Sequence, residues 1–203
     1  MTHHTLAMPI TEAQARELRV GDTVTLEKRL FGIRDATLIH MFDHGRRTRL
    51  DLNGHAVIHT APNVRRIDQP PENAPRYEPL CIGTTTSQRM ERFTQALMAR
   101  EGVRLIIGKG GMGPATLAAF AERGGAYLAI VGGAAALETT WIEAIEDVDL
   151  DDLHPESLWQ FRIRGFGPLL VTMDSHGGSL HAQVNEAAAA KRAAVLASIG
   201  AGE

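Results

Sequence analysis

The sequence predicts an α/β fold, a mixed sheet with flanking helices, and three observations carry that prediction. At the centre, the apolar run Val103–Gly108 (VRLIIG) leads into the glycine loop Lys109–Gly113 and then into the helical pattern Pro114–Gly125 (PATLAAFAERGG). The grammar then repeats, because Ala126–Gly133 (AYLAIVGG) again closes in paired glycines before an alanine-rich stretch. Strand-like alternation brackets this centre, over Leu18–Ala36 on one side and from Phe161 onward on the other.

Taken in order, Leu18–Ala36 reads as a strand region with a Gly-Asp turn at Gly21-Asp22, and Leu50–Pro62 carries an Asn-Gly turn at Asn53-Gly54. Asp68–Pro79 holds four of the nine prolines and reads as an extended loop, the best candidate for a linker. Gly83–Gln88 (GTTTSQ) runs into a helix over Arg89–Gly102, with Met90, Phe93 and Leu97 on one face and Gly102 as its stop. Pro114 suits the first turn of the next helix. Phe161–Val184 is expected to be a hairpin turning at His176-Gly177-Gly178. A last helix is expected over about 185–200, capped by Asn185 and ended by Gly200. No internal repeat is found. One domain is expected over residues 1–203, with its core over about 18–180.

Composition narrows the function. Apolar residues make 44% of the 203 and charged residues 22%, as in ordinary globular chains. No apolar run approaches the roughly 20 residues of a membrane helix, and the N-terminal segment lacks the pattern of a signal peptide; a cytoplasmic protein is expected. The net charge of −3 argues against nucleic acid as the main partner. His44–Arg49 and Asn63–Arg66 therefore read as solvated basic clusters. One cysteine, Cys81, cannot form an internal disulfide or hold an iron–sulfur cluster, and none of the nine histidines falls in a metal-binding spacing. No metal is expected on this chain.

Three motifs carry candidate chemistry. Lys109–Gly113 (KGGMG) matches the first half of a phosphate loop, yet Pro114 and Ala115 stand where a lysine and a hydroxyl belong. Nucleotide hydrolysis is disfavoured, while a glycine loop at a helix start with one lysine suits a small anion. Gly83–Arg89 (GTTTSQR) offers hydroxyls that could cap a helix or meet a ligand, and an arginine able to grip a carboxylate in bidentate fashion. Gly32–Thr37 (GIRDAT) adds an Arg-Asp pair after a β-like run; by itself it reads as a surface ion pair.

Together and in this order, Arg-Asp-Ala, Gly-x-Thr-Thr-Ser-x-Arg-Met and Ile-Gly-Lys-Gly-Gly-Met resemble the C-terminal domain of class I, iron–sulfur fumarate hydratases, a domain that is a separate β subunit in L-tartrate dehydratase. The resemblance spans roughly Leu18 to Leu180. It implies a swivelling β/β/α domain that closes over a 4Fe-4S cluster carried by a cluster-bearing alpha subunit, in a hetero-oligomer for which a dimer of heterodimers is one arrangement. It implies that Arg34, Arg89 and Lys109 bind the carboxylates of a small dicarboxylate substrate and that Thr85 is catalytic at the reacting carbon. Gly83, Thr86 and Gly110 would line the ligand, glycine allowing close backbone approach. Leu38 stands where the family commonly has histidine, and Thr84 where it commonly has proline. A rival reading is a ligand- or partner-binding domain of the same fold without turnover.

Overall fold

The computed structural model describes residues 1–71, 75–133 and 135–200. β1 (His3–Ala7) and α1 (Glu12–Glu17) precede β2 (Thr23–Ile33), and Thr11 with Gln14 closes a capping box at the start of α1. α2 (Asp35–Phe42) leaves the end of β2, and β3 (Ala56–His59) returns parallel to it. β4 (Asn63–Arg66) and β5 (Tyr77–Cys81) form a separate antiparallel ribbon. A 3-10 turn over Gln88–Phe93 continues into α3 (Thr94–Glu101). The central unit is β6 (Leu105–Gly108), α4 (Pro114–Arg123) and β7 (Ala126–Ala129). α5 (Ala135–Thr140), β8 (Ile142–Asp149), β9 (Leu158–Met173) and α6 (Leu180–Ser198) follow.

The strands line up as β1-β2-β3-β6-β7-β9-β8, and β9 also pairs with β2. That extra pairing closes β2, β3, β6, β7 and β9 into a ring, which removes the free edges of those strands. Leu170 shows the closure, for it lies opposite Thr23 of β2 on one side and Ala129 of β7 on the other. β1, β2, β3, β6 and β7 run parallel; β9 runs against them.

Because side chains alternate along a strand, the ring has two hydrophobic faces. Leu26, Ile58, Ile107, Leu128 and Phe161 fill one core. Val57, Ile106 and Tyr127, each one residue out of step, face a second core with Leu38, Met41, Phe93, Leu97 and Phe120 from the helices. This second layer holds the helices that follow β2, β3 and β6, and so fixes the loops from which they start.

The helix face of Met90, Phe93 and Leu97 is buried as its spacing predicts, and Gly102 ends α3 in the left-handed region at φ 69°. Other expectations are corrected. The proline-rich stretch includes the start of β5 and turns the β4–β5 ribbon instead of linking domains; its residues 72–74 lie outside the described residues. Phe161–Val184 is not a hairpin. β9 runs alone to Met173, and the chain turns at Asp174–Gly178, where the Asp174 carboxylate accepts from the backbone of His176 and Gly178. The last helix then starts at Leu180, because the Ser179 hydroxyl accepts from Ala182 N–H and caps it; Asn185 lies inside the helix and Ile199 ends it. Upstream of Leu18, β1, α1 and the connection between them bury Leu6, Met8, Ile10 and Ala15.

Ile107→Ala should cost about 2–5 kcal/mol, since a side chain inside a closed ring leaves a cavity that strands on both sides cannot collapse into. A denaturant midpoint unchanged from wild type would contradict this packing.

Candidate functional site

The parallel strands deliver three chain ends to one edge of the sheet: Arg34 follows β2, His59 ends β3 and Lys109 follows β6. In α/β sheets the carboxyl ends of parallel strands are where ligands bind. Across this edge lies the loop Gly83–Ser87, fastened at every step. The Thr60 hydroxyl donates to Gly83 O at 2.9 Å, Thr85 N–H donates to His59 O at 2.8 Å, and Ser87 N–H donates to Lys109 O at 3.1 Å. Thr84 and Thr86 add single bridges to Thr60 and Lys109.

Below the loop, the Ser87 hydroxyl is wholly buried between two others. Tyr127 Oη donates to Ser87 Oγ at 2.9 Å, and Ser87 Oγ stands 2.8 Å from His59 Nδ1. The Ser87 hydroxyl thereby links the tyrosine to the histidine, whose ring is neutral. Burial agrees, pushing His59 down to about 4, and pushing the Tyr127 hydroxyl up to about 12. Gly108 is required here, because a Cβ at that position would stand 1.9 Å from Ser87 Oγ. The Ser87 hydroxyl therefore does not cap the following helix; it anchors the loop from beneath.

Above the loop the arrangement is charged. Asp35 receives Arg89 on both oxygens, Nη2 at 3.0 Å and Nε at 3.3 Å, and Arg34 Nε at 3.3 Å. The hydrogen bond from Arg89 holds the Asp35 carboxyl below the usual range, against the opposing effect of burial. Arg89 Nη2 also donates to Thr85 Oγ1 at 3.2 Å. Arg34, Thr85 and Arg89 thus meet around one carboxylate, and Lys109 joins them through Thr86 and Ser87. Lys109 has no ion-pair partner among the described residues, and Gly110 and Gly111 carry the chain away from it at φ 83° and 75°. Arg89 is half exposed and Thr86 and Gly110 are exposed, so these groups form an open face. A cavity of about 330 Å³ lies elsewhere, lined by Arg49, Arg76, Tyr77 and Asp147, with its Arg49 already held by Asp147 at 2.6 Å.

The helix starts differ from the sequence reading. Thr116 N–H at the start of α4 donates to Glu91 Oε1 at 3.2 Å, and Ala36 N–H at the start of α2 donates to Glu156 Oε2 at 2.8 Å. Each helix N-terminus is occupied by a glutamate of the protein itself. The glycine loop therefore offers an incoming anion the Lys109 side chain, not the dipole of α4. Glu156 also sits 3.2 Å from Arg34 Nε. Neither glutamate was marked by a motif, since both reach their helices from distant sequence. Glu138 was missed for the same reason: it is fully buried in α5, and burial lifts its carboxyl to about 7.

The sequence reading set Arg46, Arg49 and Arg65 aside as surface charge. All three are partly or fully exposed and pair with Asp152, Asp147 and Glu78. Among the described residues no group of three or more His, Cys, Asp or Glu side chains comes together to hold a metal, and no helix is long and apolar enough to cross a membrane.

The family model for the fumarase C-terminus matches residues 2–184. The chain belongs to that family. It is 42% identical over 188 residues to a putative class I fumarate hydratase of Geobacillus stearothermophilus, covering 92% of this chain and 35% of that relative, so it spans about a third of that protein's length. It is 36% identical over 195 residues to the L(+)-tartrate dehydratase subunit beta of Escherichia coli K12, covering 96% of this chain and 94% of the relative. A putative L(+)-tartrate dehydratase subunit beta of Methanocaldococcus jannaschii is 33% identical, over 87% of this chain and 90% of its own. The Leu38 side chain is buried in the helix-facing core.

Two outcomes follow from this geometry. Ser87→Ala removes the buried hydroxyl that Tyr127 and His59 Nδ1 share and should cost about 1–3 kcal/mol in chemical denaturation. The Glu138 carboxyl is raised from 4.5 to about 7, so the folded chain holds that proton more tightly and stability falls as pH rises across that interval. Glu138→Gln should therefore stabilise the protein at pH 8–9 by on the order of 2–3 kcal/mol and leave it unchanged near pH 4. Equal effects at both pH values would contradict the assignment.

Proposed function

We propose that this chain is the beta subunit of a two-chain class I hydro-lyase, of the fumarate hydratase and tartrate dehydratase type, which reversibly adds or removes water on a small dicarboxylate. The match to L(+)-tartrate dehydratase subunit beta runs nearly end to end in both chains, which supports a subunit of a complex. The observation that carries the reading is the open face on which Arg34 and Arg89 share Asp35 while Arg89 holds the Thr85 hydroxyl.

On that face Arg34, Arg89 and Lys109 bind the substrate's two carboxylates. Arg89 has a planar fork suited to bidentate pairing, and Lys109 adds a point charge. Thr85 sits at the carbon that loses or gains a proton. A free hydroxyl is a weak base, and the guanidinium of Arg89 at Thr85 Oγ1 favours the oxygen when it carries negative charge. Thr86, Gly83 and Gly110 line the ligand. Asp35 keeps both arginines aimed at the face in the absence of substrate.

The single cysteine, Cys81, is exposed on β5, and this chain's residues do not fit a 4Fe-4S cluster. The cluster belongs to an alpha subunit that covers the face, where it would supply a Lewis acid for the hydroxyl lost or gained. The pair forms a hetero-oligomer, with a dimer of heterodimers as the arrangement to test, and works in the cytoplasm. Fumarate, malate, tartrate and mesaconate all present carboxylates to the same three cations, and pocket shape chooses among them.

Substitutions in the assembled enzyme test the roles. Arg89→Lys should lower kcat/KM by about 100-fold or more, because an ammonium cannot replace the fork. Thr85→Val should lower kcat by roughly 100-fold or more with a small change in KM. A near wild-type kcat/KM in either variant would refute that residue's role, and dicarboxylate binding without turnover in the wild-type complex would favour a ligand-binding domain.

A further inference from the structure

Glu138 stands in the first turn of α5, with its side chain 0% exposed. Neither carboxylate oxygen has a hydrogen-bond partner, and the buried Thr84 hydroxyl has none either. A carboxylate out of water is costly unless it keeps a proton or finds a counter-charge. Burial is the larger influence on this one; the Thr84 backbone N–H, outside hydrogen-bond geometry, and the Lys109 ammonium act the other way, favouring the charged form.

The sheet brings the Lys109 stem to the turn that leads into α5. β6 and β7 run in parallel register with Gly108 opposite Ala129, so Lys109 and the turn at 130–133 leave the sheet side by side. A Cβ on Gly132 would stand 3.3 Å from Lys109 Cδ, which places the lysine stem along the turn that leads into α5. The ammonium itself has no ion-pair partner among the described residues.

We propose that Glu138 is a positioning residue for Lys109: its carboxylate supplies the counter-charge that steadies the ammonium in the empty site, and it takes up one proton from solvent when a ligand's carboxylate becomes the lysine's partner. This rests on the reading that Lys109 binds a carboxylate. No bond to the ligand forms or breaks, and the proton comes from the buffer. The liganded site then holds one proton more than the empty one, so affinity for a dianion falls as pH rises through the Glu138 midpoint. Lys109 on the β6–α4 loop is the charged group facing Glu138, and Thr84 is the polar one.

An NMR titration of the full chain, with isotope-labelled glutamate carboxyls, reads this directly. Wild type should show one carboxyl titrating near neutrality, and Glu138→Gln should remove it. Lys109→Met should move its midpoint upward by about one pH unit, because a favourable positive charge is gone. An unmoved midpoint in that variant overturns the proposal. In complex with its partner subunit, succinate, which has neither a double bond nor a hydroxyl to react, should raise the Glu138 midpoint in wild type and leave it unchanged in Lys109→Met. Succinate binding without that rise overturns the proposal and leaves the functional reading standing. Absence of succinate binding counts against the dicarboxylate reading, while the Lys109→Met shift still decides whether Glu138 and Lys109 are coupled.

Discussion

The Ser87 hydroxyl, held between Tyr127 and His59, is the contact on which the rest of the site depends. Tyr127 comes from β7 and His59 from β3, with β6 between them, so three parallel strands reach up to one residue of the loop. The consequence travels along the chain in both directions. Two residues before Ser87, Thr85 is set by His59 O; two residues after, Arg89 projects from the first turn of the 3-10 segment toward Asp35. Each of these contacts is a hydrogen bond worth about 1 kcal/mol on its own. Their value is that a buried hydroxyl with two fixed neighbours leaves the loop one register.

The ring of strands is what makes that register available. Closure of β9 on β2 holds the ends of β2, β3 and β6 at fixed spacing, and the helix-facing core keeps α2 and α4 from drifting. Glu156 and Glu91 then neutralise the starts of those helices from within. An anion arriving at the face meets side-chain cations instead of helix dipoles. The charges so displayed are mutually balanced: Asp35 and Glu156 steady the arginines, and the Lys109 ammonium favours the charged form of the buried Glu138. A face of this kind, half exposed and already pre-aimed, is suited to a substrate that is enclosed only when a second surface is added.

Some of this was legible in the sequence. Thr85, Arg89 and Lys109 stand out because their spacing to glycine and to an apolar strand is local, and Met90, Phe93 and Leu97 announce a buried face by period alone. Three features were not legible. β8 (IEAIEDVD) carries four acidic residues and pairs with β9 alone, and an edge strand tolerates such charges where a central strand would not. β9 looks like one arm of a hairpin, since no local signal reveals that its partners are β2, β7 and β8 instead of the following segment. The glutamates at positions 91, 138 and 156 acquire meaning only from what the fold brings to them. Glu138 in particular is one acidic residue in an alanine-rich stretch until burial isolates it.

The most direct measurement is the anoxic recovery of this chain, tagged, from its native cell, with iron analysis and dicarboxylate turnover assayed on what accompanies it. The account predicts a cluster-bearing partner with labile iron, hydration or dehydration of a dicarboxylate by the pair, and no turnover by the chain alone. Turnover by the purified chain without a partner, or an iron-free chain recovered alone and inactive, would contradict it.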